Sequence, residues 1–134
     1  MDRVLGSYAG HVYALLRIVA GFLFACHGAQ KLFGALGGVD GAGGAPPIAS
    51  LYGLAGIIEF FGGLLIGLGL FTGWAAFIAS GEMAFAYFMA HAPTSVWPVR
   101  NGGEPAVLFC FLFLYVAARG SGAFSLDRAF GRRG

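Results

Sequence analysis

The sequence predicts an all-α protein, an integral membrane four-helix bundle, from its composition and from the length of its apolar runs. Of the 134 residues, 58% are hydrophobic and only 10% are charged, whereas soluble domains carry about 25% charged residues. The apolar residues form four unbroken runs, at 12–33, 51–71, 74–92 and 106–118. A helix of about 20 residues crosses the hydrocarbon core of a bilayer and satisfies its own backbone hydrogen bonds there. A membrane β-barrel would instead show short segments of alternating polarity.

The residues that flank these runs define the ends of the predicted helices. The expected helices, all within one transmembrane domain of residues 1–134, cover about 12–33, 51–71, 74–92 and 104–119. Ser50 suits the N-cap of the second helix, and Glu104 with Pro105 suits the start of the fourth helix. The tail 120–134 is short and basic, and we expect its apolar side chains to lie toward lipid at the membrane interface.

The distribution of basic residues predicts the orientation of the bundle. One side is flanked by Arg3, Arg119, Arg128, Arg132 and Arg133. The other side has Lys31 and Arg100. Because basic residues are enriched on the cytoplasmic side of a membrane, we expect both the N- and C-termini to be cytoplasmic. The net charge of only +2, without a basic stripe, gives no indication of nucleic-acid binding.

Three ionisable side chains, Arg17, Glu59 and Glu82, lie inside the apolar runs. Each costs roughly 2.5–3.5 kcal/mol at the centre of a bilayer, so they must offset one another or serve a function. Helical spacing puts both glutamates on stripes of Gly and Ala, which face neighbouring helices. We expect Arg17 to bridge one or both carboxylates and one glutamate to be protonated. This network is either a structural ion pair or a proton route and polar pocket for a quinone-like ring.

A second polar group is expected near the outer face of the bundle. It consists of His27, Gln30, Lys31, His91, Asn101 and Glu104. An ion pair between Lys31 and Glu104 would close a polar cap over the midplane charges, although each residue would equally suit contact with water and lipid headgroups. His27, His91 and Glu104 are potential metal ligands, but they form no recognised ligand spacing, and we predict no metal site.

The chain has two cysteines, Cys26 and Cys110, at similar expected depths. A disulfide between the first and fourth helices is one alternative, because the outer side is oxidising. Free thiols that pack as small hydrophobic side chains are the alternative we favour.

Several short segments resemble the DoxX family. They are Leu-Arg-Ile-Val-Ala-Gly at 16–21, His-Gly-Ala-Gln-Lys-Leu-Phe-Gly at 27–34, Glu-Phe-Phe-Gly-Gly at 59–63, Gly-Leu-Gly-Leu-Phe-Thr at 67–72, Gly-Gly-Glu at 102–104 and Ser-Leu-Asp at 125–127. The resemblance implies a small multi-pass protein of the bacterial inner membrane. It also implies an association with thiosulfate:quinone oxidoreduction or with membrane complexes that handle oxidative and thiol stress.

Two functions agree with these observations. In the first, the chain is a membrane subunit of a quinone-linked redox system, and Arg17, Glu59 and Glu82 supply the quinone pocket or the proton route. In the alternative, it is a non-catalytic accessory subunit that packs against a larger membrane complex. We expect no tightly bound cofactor, with quinone as the ligand of the first function. The expected partners are the lipid bilayer and other membrane subunits.

Overall fold

Helices make up most of the chain in the computed structural model, which describes residues 1–132. The four long helices are α1 (Ala9–Phe33), α2 (Leu51–Leu68), α3 (Thr72–Ala86) and α4 (Glu104–Arg119). Shorter helical turns cover Asp2–Leu5, Gly6–Tyr8, Ala35–Gly37, Pro98–Asn101 and Leu126–Ala129. Within residues 1–132 there is no β-strand, and a single bridge joins Gly38 to Gly44. The predicted all-α class is therefore confirmed.

Two helical segments are long and apolar enough to cross a membrane, namely Asp2–Phe33 and Leu51–Leu68. The second predicted helix ends earlier than expected, because Gly69 adopts a left-handed conformation with φ of 70° and closes the C-terminus of α2. The third begins earlier than expected, at Thr72, and its α-helical part ends at Ala86. A π-helical turn, Tyr87–His91, continues it.

Glycines bring α1 and α2 into backbone contact. Gly63 of α2 faces Gly21 and Ala25 of α1, and a Cβ atom added at Gly63 would lie 2.5 Å from the Ala25 nitrogen. A Cβ added at Gly21 would lie 2.5 Å from the nitrogen of Gly67. These separations leave no room for a methyl group, so the small residues on the two helices set how closely the helices pack.

The other long helices pack around aromatic and small side chains. Phe24 of α1 and Phe113 of α4 are both fully buried, and their ring centroids lie 4.8 Å apart. Phe109 stacks on Phe113 at 5.4 Å. Ser80 of α3 donates a hydrogen bond of 2.8 Å to the carbonyl of Cys110. The buried core therefore joins α1, α3 and α4 as well as α1 and α2.

Contacts between distant parts of the chain show that one end of the bundle holds the start of α1, the end of α4 and the tail. The Tyr13 hydroxyl donates to the carbonyl of Gly120. The Arg119 guanidinium lies 4.5 Å from the centre of the Tyr13 ring, and the His11 and Phe124 rings lie 5.6 Å apart. We call this the tail end, and we call the opposite end, with the α1–α2 and α3–α4 loops, the loop end.

Arg17 is fully buried at the tail end and contacts backbone carbonyls, so the expectation that it bridges Glu59 or Glu82 is wrong. Its guanidinium donates four hydrogen bonds of 2.6–3.1 Å, to the carbonyls of Ile66, Gly67, Ala123 and Phe124. The last carbonyls of a helix lack partners within the helix and form the negative end of its dipole. Arg17 therefore caps α2 and ties the tail to it.

Asp127 caps the N-terminus of α3, as Arg17 caps the C-terminus of α2. Its carboxylate accepts hydrogen bonds of 3.0–3.1 Å from the Phe71 nitrogen and from the nitrogen and hydroxyl of Thr72. Burial raises the pKa of Asp127, but these hydrogen bonds outweigh it and hold the pKa below its ordinary value. The tail is thus docked on the α2–α3 turn, although Phe124 remains exposed as expected. Arg133 and the end of the predicted tail lie outside the described residues.

We predict that Gly63→Val lowers the free energy of unfolding by about 1–3 kcal/mol, because the new side chain overpacks the contact between α1 and α2. The measurement is thermal unfolding in a mild detergent. Gly81→Ala is the control, because a Cβ at Gly81 meets nothing within 4 Å. Equal melting temperatures for the two variants would show that the close helix contact does not limit stability.

We predict that Arg17→Leu lowers stability by several kcal/mol, because each buried carbonyl left without a donor costs about 1–3 kcal/mol. Adding Glu59→Leu or Glu82→Leu is expected to recover none of the loss, since neither glutamate contacts Arg17 in the structure. Melting temperatures of the single and double variants test this. Recovery in either double variant would mean that Arg17 neutralises a glutamate after all.

Candidate functional site

A polar cavity of about 190 Å³ lies between the long helices, in the half of the bundle nearer the loop end. Its ionisable lining residues are His27, Lys31, Glu59, Glu82 and His91. Its apolar wall includes Phe24, Tyr52, Met83 and Phe109. A water molecule takes about 30 Å³ of liquid volume, so the cavity has room for a few waters or one small ring.

The ion pair in this cavity joins Lys31 of α1 to Glu59 of α2. The Lys31 Nζ lies 2.6 Å from Oε1 and 2.5 Å from Oε2 of Glu59. The Glu59 side chain is 3% exposed and that of Lys31 is 18% exposed. The expected pair between Lys31 and Glu104 is therefore wrong. A buried, two-oxygen contact of this kind holds both side chains in one geometry, because the carboxylate has no other partner of comparable strength.

Two glycines make the pair possible. Gly56 lies one helical turn before Glu59, and a Cβ added there would be 2.8 Å from the Cβ of Lys31. A Cβ atom added at Gly28, one turn before Lys31, would lie closer still to backbone atoms of Phe60. The small-residue stripe beside Glu59 is visible in the sequence, whereas its pairing with Lys31 was not predicted. The glycine spacing before both charged residues was the signal that pointed to a close approach here.

Glu82 of α3 has no such partner. Its Oε2 atom is buried, and no residue among 1–132 is within hydrogen-bonding distance of that atom. A buried polar atom without a partner is costly, and it points to a bound proton, water or ligand. Because Glu82 and Glu59 line the same cavity, the site holds two carboxyl groups for one lysine.

Histidines from two elements complete the cavity. The His27 ring lies edge-on to Phe109, with 6.2 Å between ring centroids. His91 places Nδ1 at 3.1 Å from the carbonyl of Asn101. Because a carbonyl only accepts, Nδ1 carries the proton, which leaves Nε2 of neutral His91 free to accept one. Both ring nitrogens of an imidazole form hydrogen bonds, so His27 and His91 are suited to binding a polar ligand or water in the cavity.

The remaining predicted outer residues lie away from the cavity wall and organise loops. Gln30 donates a hydrogen bond of 3.4 Å to the carbonyl of Leu36. The Asn101 side chain donates to the carbonyl of Ser95 at 2.7 Å and accepts from the Gly103 nitrogen at 2.7 Å. Glu104 is the first residue of α4. Of the proposed polar cap, His27, Lys31 and His91 therefore line the cavity, and Asn101 contacts His91 from outside the wall.

The cysteines and potential metal ligands add no further centre to this site. Cys26 and Cys110 are free thiols in the structure, and the Cys110 Sγ instead lies 3.7 Å from the Ser80 hydroxyl. Among residues 1–132, no three His, Cys, Asp or Glu side chains are grouped so as to hold a metal ion. The arrangement is therefore suited to proton exchange and hydrogen bonding with a small polar ligand.

A comparison with known protein families identifies the family of the chain. The DoxX family model matches residues 12–92. A protein of Haemophilus influenzae described as uncharacterized is 42% identical over 132 residues, which cover 94% of this chain and 96% of that relative. No solved structure matches the chain. The matched region contains α1, α2 and α3, and with them Lys31, Glu59 and Glu82. The chain belongs to the DoxX family of small membrane proteins.

Proposed function

We propose that the chain is a subunit of a quinone-linked redox system in the bacterial inner membrane. In this proposal the cavity around Glu59 and Glu82 receives a quinone ring or passes protons toward one. The observation that carries it is the unpartnered Oε2 of Glu82 beside the Lys31–Glu59 pair. Arg17, which the sequence analysis included in this role, is instead occupied by backbone carbonyls.

The lining of the cavity fits the chemistry of a quinone. A quinone ring is flat and apolar on its faces, and its two carbonyl oxygens accept hydrogen bonds. Phe24 and Phe109 offer aromatic walls, while Lys31 and a protonated Glu82 offer donors. Reduction to the quinol takes up two electrons and two protons. Glu82 would pass those protons one at a time, and the electrons would come from a redox-active partner subunit.

The proposal requires four membrane spans with both termini in the cytoplasm. Two observations support it. The start of α1 and the end of α4 meet at one end of the bundle, as four antiparallel spans require. The described basic residues of the tail, Arg128 and Arg132, lie at that same end, which agrees with the enrichment of basic residues in cytoplasmic segments.

The alternative function is that of a non-catalytic accessory subunit. It is favoured by one observation, that the Lys31–Glu59 pair satisfies both carboxylate oxygens without any ligand. In that case the pair would fix the packing of α1 on α2, and the cavity would hold water. The two functions differ in what happens to quinone binding when the carboxyl group of Glu82 is removed.

We predict that Glu82→Leu weakens the binding of a short-chain quinone by roughly tenfold, because leucine cannot donate the hydrogen bond that a protonated Glu82 would give to a quinone carbonyl. The measurement is titration of the purified protein in detergent. Glu82→Gln, whose amide still donates, is expected to keep most of the affinity. Stability is expected to change little, because the Oε2 atom of Glu82 makes no hydrogen bond to the described residues. Glu104→Leu, which removes a carboxylate outside the cavity wall, is the matched control. Unchanged affinity in Glu82→Leu and Glu59→Gln, together with lower yield of the complex, would favour the accessory function.

We predict that alkaline phosphatase fused after the C-terminus is inactive in cells, because this enzyme needs the oxidising periplasm. A fluorescent protein fused at the same position is expected to be bright. The two fusions serve as controls for each other when their activities are divided by their expression levels. Strong phosphatase activity with no fluorescence would reverse the proposed orientation.

A further inference from the structure

A second concave surface, distinct from the polar cavity, lies at the tail end between α3 and α4. It is a groove of about 950 Å³. Phe71, Trp74 and Phe77 form one side of it, and Leu114 lies on the other. The small residues Ala117 and Ala118 line it as well. None of these residues lines the polar cavity of the proposed function.

The groove is apolar along most of its length and highly exposed. Trp74 is 75% exposed and Phe77 is 60% exposed. In a membrane protein such a surface contacts acyl chains, because lipid takes the place of water around the spans. Tryptophan is enriched at the level of the lipid headgroups. The position of Trp74 in the first turn of α3 therefore marks where the apolar part of the groove meets the polar region.

One end of the groove is cationic. The guanidinium of Arg132 lies 4.6 Å from the centre of the Phe71 ring, and it lines the groove beside Asp127. The Asp127 carboxylate already accepts three hydrogen bonds from Phe71 and Thr72. Arg128 lies in the same tail helix and is exposed. Among residues 120–132 the tail therefore carries two positive charges, Arg128 and Arg132, against the one negative charge of Asp127, which Arg132 partly neutralises, and the excess complements an anion.

We propose that this groove binds one anionic phospholipid. Its acyl chain would lie against Trp74, Phe77 and Leu114, and its phosphate would pair with Arg132. Arg132 explains why the lipid should be anionic, and the apolar length of the groove explains why the anion should carry a hydrocarbon chain. The site does not depend on the proposed redox function, because the two share no lining residue.

Native mass spectrometry of the detergent-purified protein tests this site. The protein is mixed in turn with phosphatidylglycerol and phosphatidylcholine that carry identical acyl chains. One phosphatidylglycerol per chain is expected to be retained, with about fivefold preference over phosphatidylcholine, the effect of one basic residue near an anionic lipid surface. Arg132→Gln is expected to abolish the preference and Arg132→Lys to keep most of it. Arg100→Gln, in the loop that precedes α4, is the matched control and should behave as the unchanged protein.

A second variant tests the apolar part of the groove without changing its charge. Ala118→Trp would fill the groove, and it is expected to lower retention of both lipids while the chain keeps its melting temperature. Equal retention of the two lipids by the unchanged protein would overturn the proposal. So would a preference that survives in Arg132→Gln. A shift from dimer to monomer in Ala118→Trp would assign the groove to a second copy of the chain and would overturn it as well.

Discussion

The rest of the structure depends on the hydrogen bonds that the buried guanidinium of Arg17 donates to backbone carbonyls. This guanidinium joins three separate parts of the chain, because it lies on α1 and donates to carbonyls at the end of α2 and in the tail. Asp127 belongs to the same junction, because this tail residue accepts hydrogen bonds from the backbone at the start of α3. The positive group lies at the negative end of one helix dipole, and the negative group at the positive end of the next. Arg17 and Asp127 are both buried, so water does not replace these contacts and both helix ends require them.

The contacts of Arg17 determine which cation the two glutamates can pair with. With Arg17 committed to the backbone at the tail end, Lys31 is the cation that contacts Glu59, and Glu82 has no comparable partner. The charges are thereby separated into a group that bonds helix ends and the tail at one end of the bundle, where Arg17 Nε is buried without a partner among residues 1–132, and a group toward the other end, where the same holds for Glu82 Oε2. An incompletely satisfied buried carboxyl is expensive, and proteins retain such groups where a ligand or a proton completes them.

The segments that resemble the DoxX family fall mainly in these two groups. The segment 16–21 contains Arg17 and the segment 125–127 contains Asp127, so both serve the junction at the α2–α3 turn. The segments 27–34 and 59–63 contain Lys31 and Glu59, which form the ion pair of the cavity. The structure thus gives a physical reason for the polar residues in these segments. Arg17 and Asp127 cap helix ends, His27, Lys31 and Glu59 line one cavity, and Gln30 bonds the loop after α1.

The sequence by itself determined that the chain is helical and apolar, and that Gly and Ala surround the buried carboxylates. It did so because composition and 3.6-residue periodicity are local properties. Only the tertiary structure decided which charges meet. The pairing of Lys31 with Glu59 depends on the relative depth and rotation of α1 and α2, which the glycine contacts set and a sequence pattern does not specify. The partners of Arg17 were hidden for a further reason. They are backbone carbonyls, which every residue carries. Those of Ile66 and Gly67 lie where Gly69 ends α2, and those of Ala123 and Phe124 lie in the tail, outside the helices.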